Sequence, residues 1–232
     1  MILPFLLVAA SAASTGAIEA ERAYAAMAQT RGQWTAFRAT AAPEAMMFVP
    51  EPARAGPWLN GRADPPVAVM WWPARGWMSC DGKLAVNFGP WVRKGGKATG
   101  TFTTVWTKQA DGRWQWLLDR GNATPSAVAA SEPVPVSRAS CRGLAAARAA
   151  APGRADGDML VAIGDSMPVA AAPDFTGQDG DLIAGGAAPD ASLKWEVRAL
   201  KGRAAEAHVL RVWRWDGTEQ RLALIEATDP AH

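Results

Sequence analysis

The spacing of apolar residues along this chain follows a helical period first and an alternating one later. Over residues 18–30, IEAERAYAAMAQT, Ala20, Ala23, Tyr24 and Met27 fall at i, i+3, i+4 and i+7, which is one face of a helix. Gly32 breaks that run. A second short helix is predicted to hold Trp34, Phe37 and Ala41 on one side and to end before Pro43. AMMFVPEP then reads as a strand stopped by prolines. Residues 51–75 are rich in Pro and Gly, with Trp58, Trp71 and Trp72 among them, which predicts loop and short helical pieces anchored by their rings. From residue 77 the period is two. WMSC, LAVNFGPWVR, KATGTFTTVWTKQ and RWQWLLDRG are strand-like runs, parted by Asp81-Gly82, by RKGGK and by Asp111-Gly112. Helices followed by an antiparallel meander predict an α+β fold.

The later part of the chain has a different composition. Residues 125–158 are rich in Ala, Pro and Ser and read as a linker, with one short helix within ASCRGLAAARAA. Residues 159–190 read as loop. LKWEVRAL, AEAHVLRVWRWDG and TEQRLALIEA read as strands of a C-terminal β extension. The expected organisation is a leader over 1–16, an α+β unit over 17–124, a linker over 125–158, and a loop with a β-hairpin extension over 159–232.

Turn lengths decide which side chains share a face of the meander. A two-residue turn at Asp111-Gly112 sets Trp106 opposite Leu117 and Thr104 opposite Asp119. A turn centred on Gly95 sets Phe88 opposite Phe102, Val86 opposite Thr104 and Leu84 opposite Trp106. One face then carries Leu84, Val86, Phe88, Phe102, Thr104, Trp106, Leu117 and Asp119. It is apolar except for Thr104 and one carboxylate, and it suits a surface covered by the N-terminal helices. The other carries Asn87, Trp91, Thr101, Thr103, Val105, Thr107, Trp114 and Trp116, which suits an interface or a surface covered by the C-terminal segment. An acid on an apolar face has a raised pKa and can act as a general acid or base. The plain alternative for Asp119 is a bond to backbone amides, or to Arg113 or Arg120.

Composition narrows the classes. The chain has 232 residues, 49% of them apolar, and a net charge of +2 from 24 basic and 22 acidic side chains. No basic face is concentrated enough for nucleic acid. The opening MILPFLLVAASAASTGA joins an apolar run to the small-x-small sequence Ala10-Ser11-Ala12, the pattern of a cleaved export signal. The run is too short to span a bilayer, and no Cys beside it offers a lipid anchor, so no membrane anchor is expected after export. A periplasmic or secreted chain is the expectation. In an oxidising compartment Cys80 and Cys141 are a candidate disulfide; two separate buried thiols are the alternative. Two lone Cys and two His have no metal-ligand spacing, so neither a metal nor another cofactor is expected.

AFRATAAPEAMMFVPEP, followed by the Gly100–Trp114 pattern G-x-F-x-T-V-W-x-x-Q-x-D-G-x-W and the strand ending LLDRG, resembles the nuclear transport factor two-like superfamily, in its SnoaL-like and uncharacterised bacterial branches. The resemblance covers about residues 17–122. It implies a cone: a curved antiparallel sheet wrapped on the N-terminal helices around an apolar pocket, with a homodimer through the outer sheet face. The pocket would be lined by the apolar face above together with Phe37 and Phe48. Isomerase-type members carry an acid at the end of the strand matching AMMFVP, where this chain has Val49. Cyclase-type members use a His-Asp pair, and this chain has no His before His208. Tyr24 stands near the position of the isomerases' phenol donor.

Three functions follow as expectations. The first is binding of a small apolar molecule or a protein partner in an aromatic-lined pocket. The second is proton transfer, with Asp119 as base and Tyr24 as donor to an oxyanion. The third is a structural role at the envelope. Gly164-Asp165-Ser166 with Asp229-Pro230-Ala231-His232 matches the ends of an SGNH-type esterase signature, but too few residues separate them for the βα units of that fold.

Overall fold

The structure is a computed structural model describing residues 16–123, 132–163, 177, 179–204 and 207–228. The expected leader lies outside the described residues, apart from Gly16. So do the two pieces of the esterase-like signature.

Two helices open the described chain, α1 (Ala17–Arg31) and α2 (Gln33–Thr40). Gly32 links them with a φ of 104°, a conformation that excludes most side chains. The buried stripe of α1 is Ala17, Glu21, Tyr24 and Ala28, rotated from the expected one, and Ala23 faces out. β1 (Ala41–Phe48), β2 (Pro52–Arg54), α3 (Ala55–Leu59) and β3 (Met70–Trp71) follow. The meander is β4 (Arg75–Met78), β5 (Leu84–Arg93), β6 (Ala98–Lys108) and β7 (Trp114–Ala123). Together with β8 (Val136–Arg138) these strands form one sheet in the order β2-β1-β7-β6-β5-β4-β8, with β3 on β5. The pairing is antiparallel except at β1–β7 and β4–β8, which are parallel.

Among the described residues the expected linker and loop hold a helix and strands. Besides β8 they hold α4 (Leu144–Ala149), β9 (Pro152–Ile163) and β10 (Asp179–Ala187). With β11 (Leu193–Leu200), β12 (His208–Trp215) and β13 (Gln220–Thr228), the last two strands of that region make a second sheet, ordered β10-β11-β12-β13-β9. The Gly, Asp and Ala content of β9 and β10 hides them from propensity, since pairing to β13 and β11 decides their state.

Two turn geometries correct the expected faces. The RKGGK connection places Arg93 opposite Ala98 around four loop residues, with Lys94, Gly95 and Gly96 all at positive φ. That shifts the β5–β6 register by one, so Phe88 pairs with Thr103 and Val86 with Val105. Leu84, Val86 and Phe88 therefore leave the helix-facing side. At the next hairpin Gln109 N–H bonds Arg113 O, which leaves three loop residues instead of two, and Gly112 has a φ of 85°. Lys108 then faces Trp114 and Trp106 faces Trp116. The register shifts again between Val105 and Trp106, where Leu117 is the extra residue of a bulge, and Thr104 is opposite Asp119 after all. The bulge brings Trp114 and Trp116 onto the same face as Asp119, where strict alternation would put them on opposite ones.

Two cores result. The inner one packs Tyr24 and Phe37 of the helices against Trp71, Ala85, Trp91, Phe102, Trp106, Trp114 and Trp116. The outer one packs Phe48, Trp77, Leu84, Val86, Phe88, Val105 and Leu118 against Leu193, Trp195, Val197, Leu210, Val212 and Leu224 of the second sheet. The outer face of the cone sheet, expected to receive a second copy or the C-terminal segment, carries the C-terminal segment. Cys80 and Cys141 are joined, with a Cα–Cα distance of 5.2 Å and a separation of 61 residues.

Candidate functional site

Glu21 lies in the middle of the buried stripe of α1 and is 0% exposed. Four donors from separate parts of the sheet converge on it. Trp71 Nε1 donates to Oε1 at 2.9 Å and Trp106 Nε1 to Oε2 at 2.6 Å. Asn87 Nδ2 donates to Oε2 at 3.2 Å, and the Thr104 hydroxyl to Oε1 at 3.4 Å. Asn87 also holds the Ala17 carbonyl at 2.9 Å, which ties the start of α1 to β5.

One helical turn on, the Tyr24 hydroxyl donates to Asp119 Oδ2 at 3.4 Å, a long contact for O–H···O. Asp119 arrives on β7 opposite Thr104, next to Met47 of β1. Unlike Glu21 it keeps part of its surface accessible. Gly121, two residues further along the same face, is exposed and offers no side chain. A Cβ there would sit 3.2 Å from Trp91 Nε1. Asp119 is thus the partly accessible member of the cluster, with exposed Gly121 near it beside Phe102 and Trp91.

Burial pushes the Glu21 carboxyl up to about 7, against the pull of the Trp106, Trp71, Asn87 and Thr104 hydrogen bonds. Burial, and then the charge on Glu21, push Asp119 up to about 8, while Tyr24 and Thr104 pull it back. Burial also holds the Tyr24 phenol well above its ordinary value, with Asp119 next in effect. Donor counts locate the charge. Glu21 accepts four hydrogen bonds and is the better carboxylate, so Asp119 holds its proton to the higher pH of the two. A protonated Asp119 can donate to a ligand oxygen; an ionised one can take a proton.

The structure brings Tyr24, Asp119, Thr104, Trp106, Phe102 and Phe37 to the inner side. It removes Leu84, Val86, Phe88 and Phe48 to the outer core. Leu117 touches both. The chain's own rings fill much of the expected pocket. Tyr24 lies 5.0 Å from Phe37, 4.9 Å from Trp71 and 5.7 Å from Trp106 between centroids, and Phe37 lies 5.9 Å from Trp116. Sequence reasoning missed Glu21, Trp71 and the inward turn of Asn87. The signal for Glu21 was its place in the 17–21–24–28 spacing, a charge on an otherwise apolar stripe.

Two helices in the curve of a mixed sheet, around a central acid pair, define an α+β cone protein. Residues 16–123 thus fold as the cone that the sequence resemblance implies. No protein-family model matches the sequence, and no curated protein matches it. Solved structures do. A provisionally assigned ketosteroid isomerase from Shewanella frigidimarina NCIMB 400 is 16% identical, with a TM-score of 0.34, over 47% of this chain and 98% of that one. A nuclear transport factor 2-like superfamily protein from Salmonella enterica serovar Typhimurium LT2 is 17% identical, with a TM-score of 0.34, over 50% of this chain and 93% of that one. A provisionally assigned calcium/calmodulin-dependent protein kinase II association domain from Xanthomonas campestris is 18% identical, with a TM-score of 0.32, over 45% of this chain and 83% of that one.

Proposed function

We propose that this is an exported protein that binds a small, largely apolar molecule at the open side of the cone and holds one ligand oxygen on Asp119 and Tyr24. The observation that carries the reading is the convergence of Glu21, Tyr24 and Asp119 within a core rich in aromatic rings. Removing charge from water costs several kcal/mol per group unless it is well compensated. Glu21 is accounted for by the buried donors it satisfies, but the long Tyr24 contact is weak compensation for Asp119, and such shifted acids gather at working sites. The accessible side of Asp119 next to Gly121 gives the ligand its entry, with Phe102 and Trp91 against the ligand's apolar body. The Cys80–Cys141 bond supports an oxidising compartment and, with the leader-like opening, export.

Proton transfer is the second reading, favoured by the Tyr24–Asp119 contact and by an Asp119 pKa near neutrality. One set of titrations separates the two. Binding predicts saturable quenching of tryptophan fluorescence by 1-naphthol, weaker quenching by naphthalene, and affinity for 1-naphthol about tenfold lower in Asp119→Asn. No saturable response to either compound would sink the binding reading. Proton transfer predicts that deuterium exchange next to the carbonyl of a bound cyclic ketone disappears in Asp119→Asn. Exchange that survives that change removes Asp119 as the base.

A further inference from the structure

Four large apolar side chains are exposed among the described residues, and two of them, Val67 at 76% and Met70 at 54%, stand on one short segment. That segment is held by its backbone. Val69 N–H donates to Gln33 Oε1 at 3.0 Å, and Gln29 Nε2 of α1 donates to Val69 O at 2.7 Å. Met70 then pairs with Val92 of β5, and Trp71 with Trp91. Val67 and Met70 are therefore fixed between the end of α1 and the tip of the β5–β6 hairpin, and left open to solvent.

Both neighbours are basic. α1 ends on exposed Arg31, and the hairpin tip carries exposed Arg93, Lys94 and Lys97 around two glycines. Among the described residues no carboxylate pairs with any of these cations. Asp64, the acid nearest to Val67 in the chain, is occupied: it accepts from Thr35 N–H at 2.9 Å and from the Thr35 hydroxyl at 2.6 Å. Lys94 has a φ of 53°, a left-handed conformation that glycine adopts more cheaply. Turn geometry alone would favour a third glycine there, so it does not account for the lysine.

Cations beside bare apolar side chains fit a partner that offers anions and hydrocarbon together. A soluble anion leaves Val67 and Met70 in water, and an apolar small molecule leaves the cations unmatched. A protein interface is a poorer fit, since lysine is depleted from such surfaces and two apolar side chains make a small centre. An anionic bilayer offers phosphates at the level of the cations and acyl chains below them. No helix among the described residues is long and apolar enough to cross a membrane, so the contact is interfacial.

We propose that Val67 and Met70, flanked by Arg31, Arg93, Lys94 and Lys97, dock the protein reversibly on a bilayer rich in anionic phospholipid. The surface works whether or not the cone holds a ligand.

The full chain is sedimented with extruded vesicles of phosphatidylcholine alone, and of phosphatidylcholine mixed with phosphatidylglycerol. Binding should be confined to the anionic vesicles and should weaken as sodium chloride is raised. Each cation at an anionic surface is worth roughly fivefold in partitioning, so Arg93→Gln, Lys94→Gln and Lys97→Gln together should cost about a hundredfold. Val67→Ser with Met70→Ser should cost about tenfold. Asp119→Asn should leave binding unchanged. Parent and variants share the same apolar opening of the chain, so differences between them report on the patch. Absence of binding to the anionic vesicles overturns the proposal, as does equal binding to the neutral ones. So does binding that is unchanged in either variant, once circular dichroism shows it folded. Heparin binding that matches vesicle binding would overturn lipid as the partner.

Discussion

At the residue scale the Glu21–Asp119 pair makes stability depend on pH in a definite direction. Unfolded, the two carboxyls titrate near 4.5 and 3.8; folded, they titrate at about 7 and about 8. Both folded values are raised, so between those limits the folded chain keeps protons that the unfolded chain has released. Stability from the pair is therefore fully present below about pH 4 and is lost as pH rises toward 8. Asp119→Asn removes one of the two titrations, the one that burial and the Glu21 charge raise. The expected outcome is a flatter profile of melting temperature against pH, with a gain on the order of 1–3 kcal/mol at pH 8 relative to the parent. Thermal unfolding followed by circular dichroism across that range checks it; parallel profiles for the two proteins would mean that Asp119 titrates normally.

Between elements, the two sheets are joined by a buried polar network as well as by apolar packing. Arg120 of β7 lies 3.6 Å from Glu226 of β13, both side chains almost inaccessible. Thr103 donates to Glu226 at 2.6 Å, Asn122 to Glu226 at 2.7 Å, and Arg120 to Thr228 at 2.7 Å. Burial raises the Glu226 pKa, opposed by the Arg120 charge. Such a pair adds little net stability over an apolar replacement, but breaking it leaves a charge unmatched. Glu226→Gln should lower unfolding free energy by about 3–5 kcal/mol, and Arg120→Met with Glu226→Leu should recover most of that loss. Urea unfolding midpoints of the single and double variants decide the matter. A fully additive double variant would show that the two side chains act separately.

For the whole molecule, the second sheet covers the outer side of the cone sheet, and the disulfide fastens the two parts near the β4–β5 turn. Around that bond Cys80 N–H reaches Ser192 at 2.8 Å and Asp81 N–H reaches Asp190 at 2.7 Å. Closing a loop of 61 residues limits the unfolded chain by about 4 kcal/mol in the chain-entropy account. Reduction, or Cys80→Ser with Cys141→Ser, should lower denaturant stability by about that amount without releasing the second sheet, because Leu193, Trp195 and Val197 stay packed on Val86 and Phe88. An unchanged unfolding midpoint after reduction would show that the bond does not limit the unfolded chain.

The local features of this protein follow from residues close together in the chain. Helical spacing marked α1, alternation marked β5 to β7 and β11 to β13, and Asp-Gly and Gly-Gly marked the hairpins, because each depends on residues a few positions apart. Tyr24 and Asp119 were legible as partners for the same reason: one lies on a helical stripe and the other on a strand. Which face each strand presents depends on pairing between strands. A four-residue turn at RKGGK and a bulge at Leu117 each shift the pairing by a single residue, and a single residue exchanges the faces of a strand. Long-range packing also makes Glu21 an interior acid. Nothing near it in the chain compensates a buried carboxylate, and its four donors come from residues 50 to 85 positions away. The strands β9 and β10, poor in strand-forming residues, exist because β13 and β11 supply the hydrogen bonds their own composition does not demand.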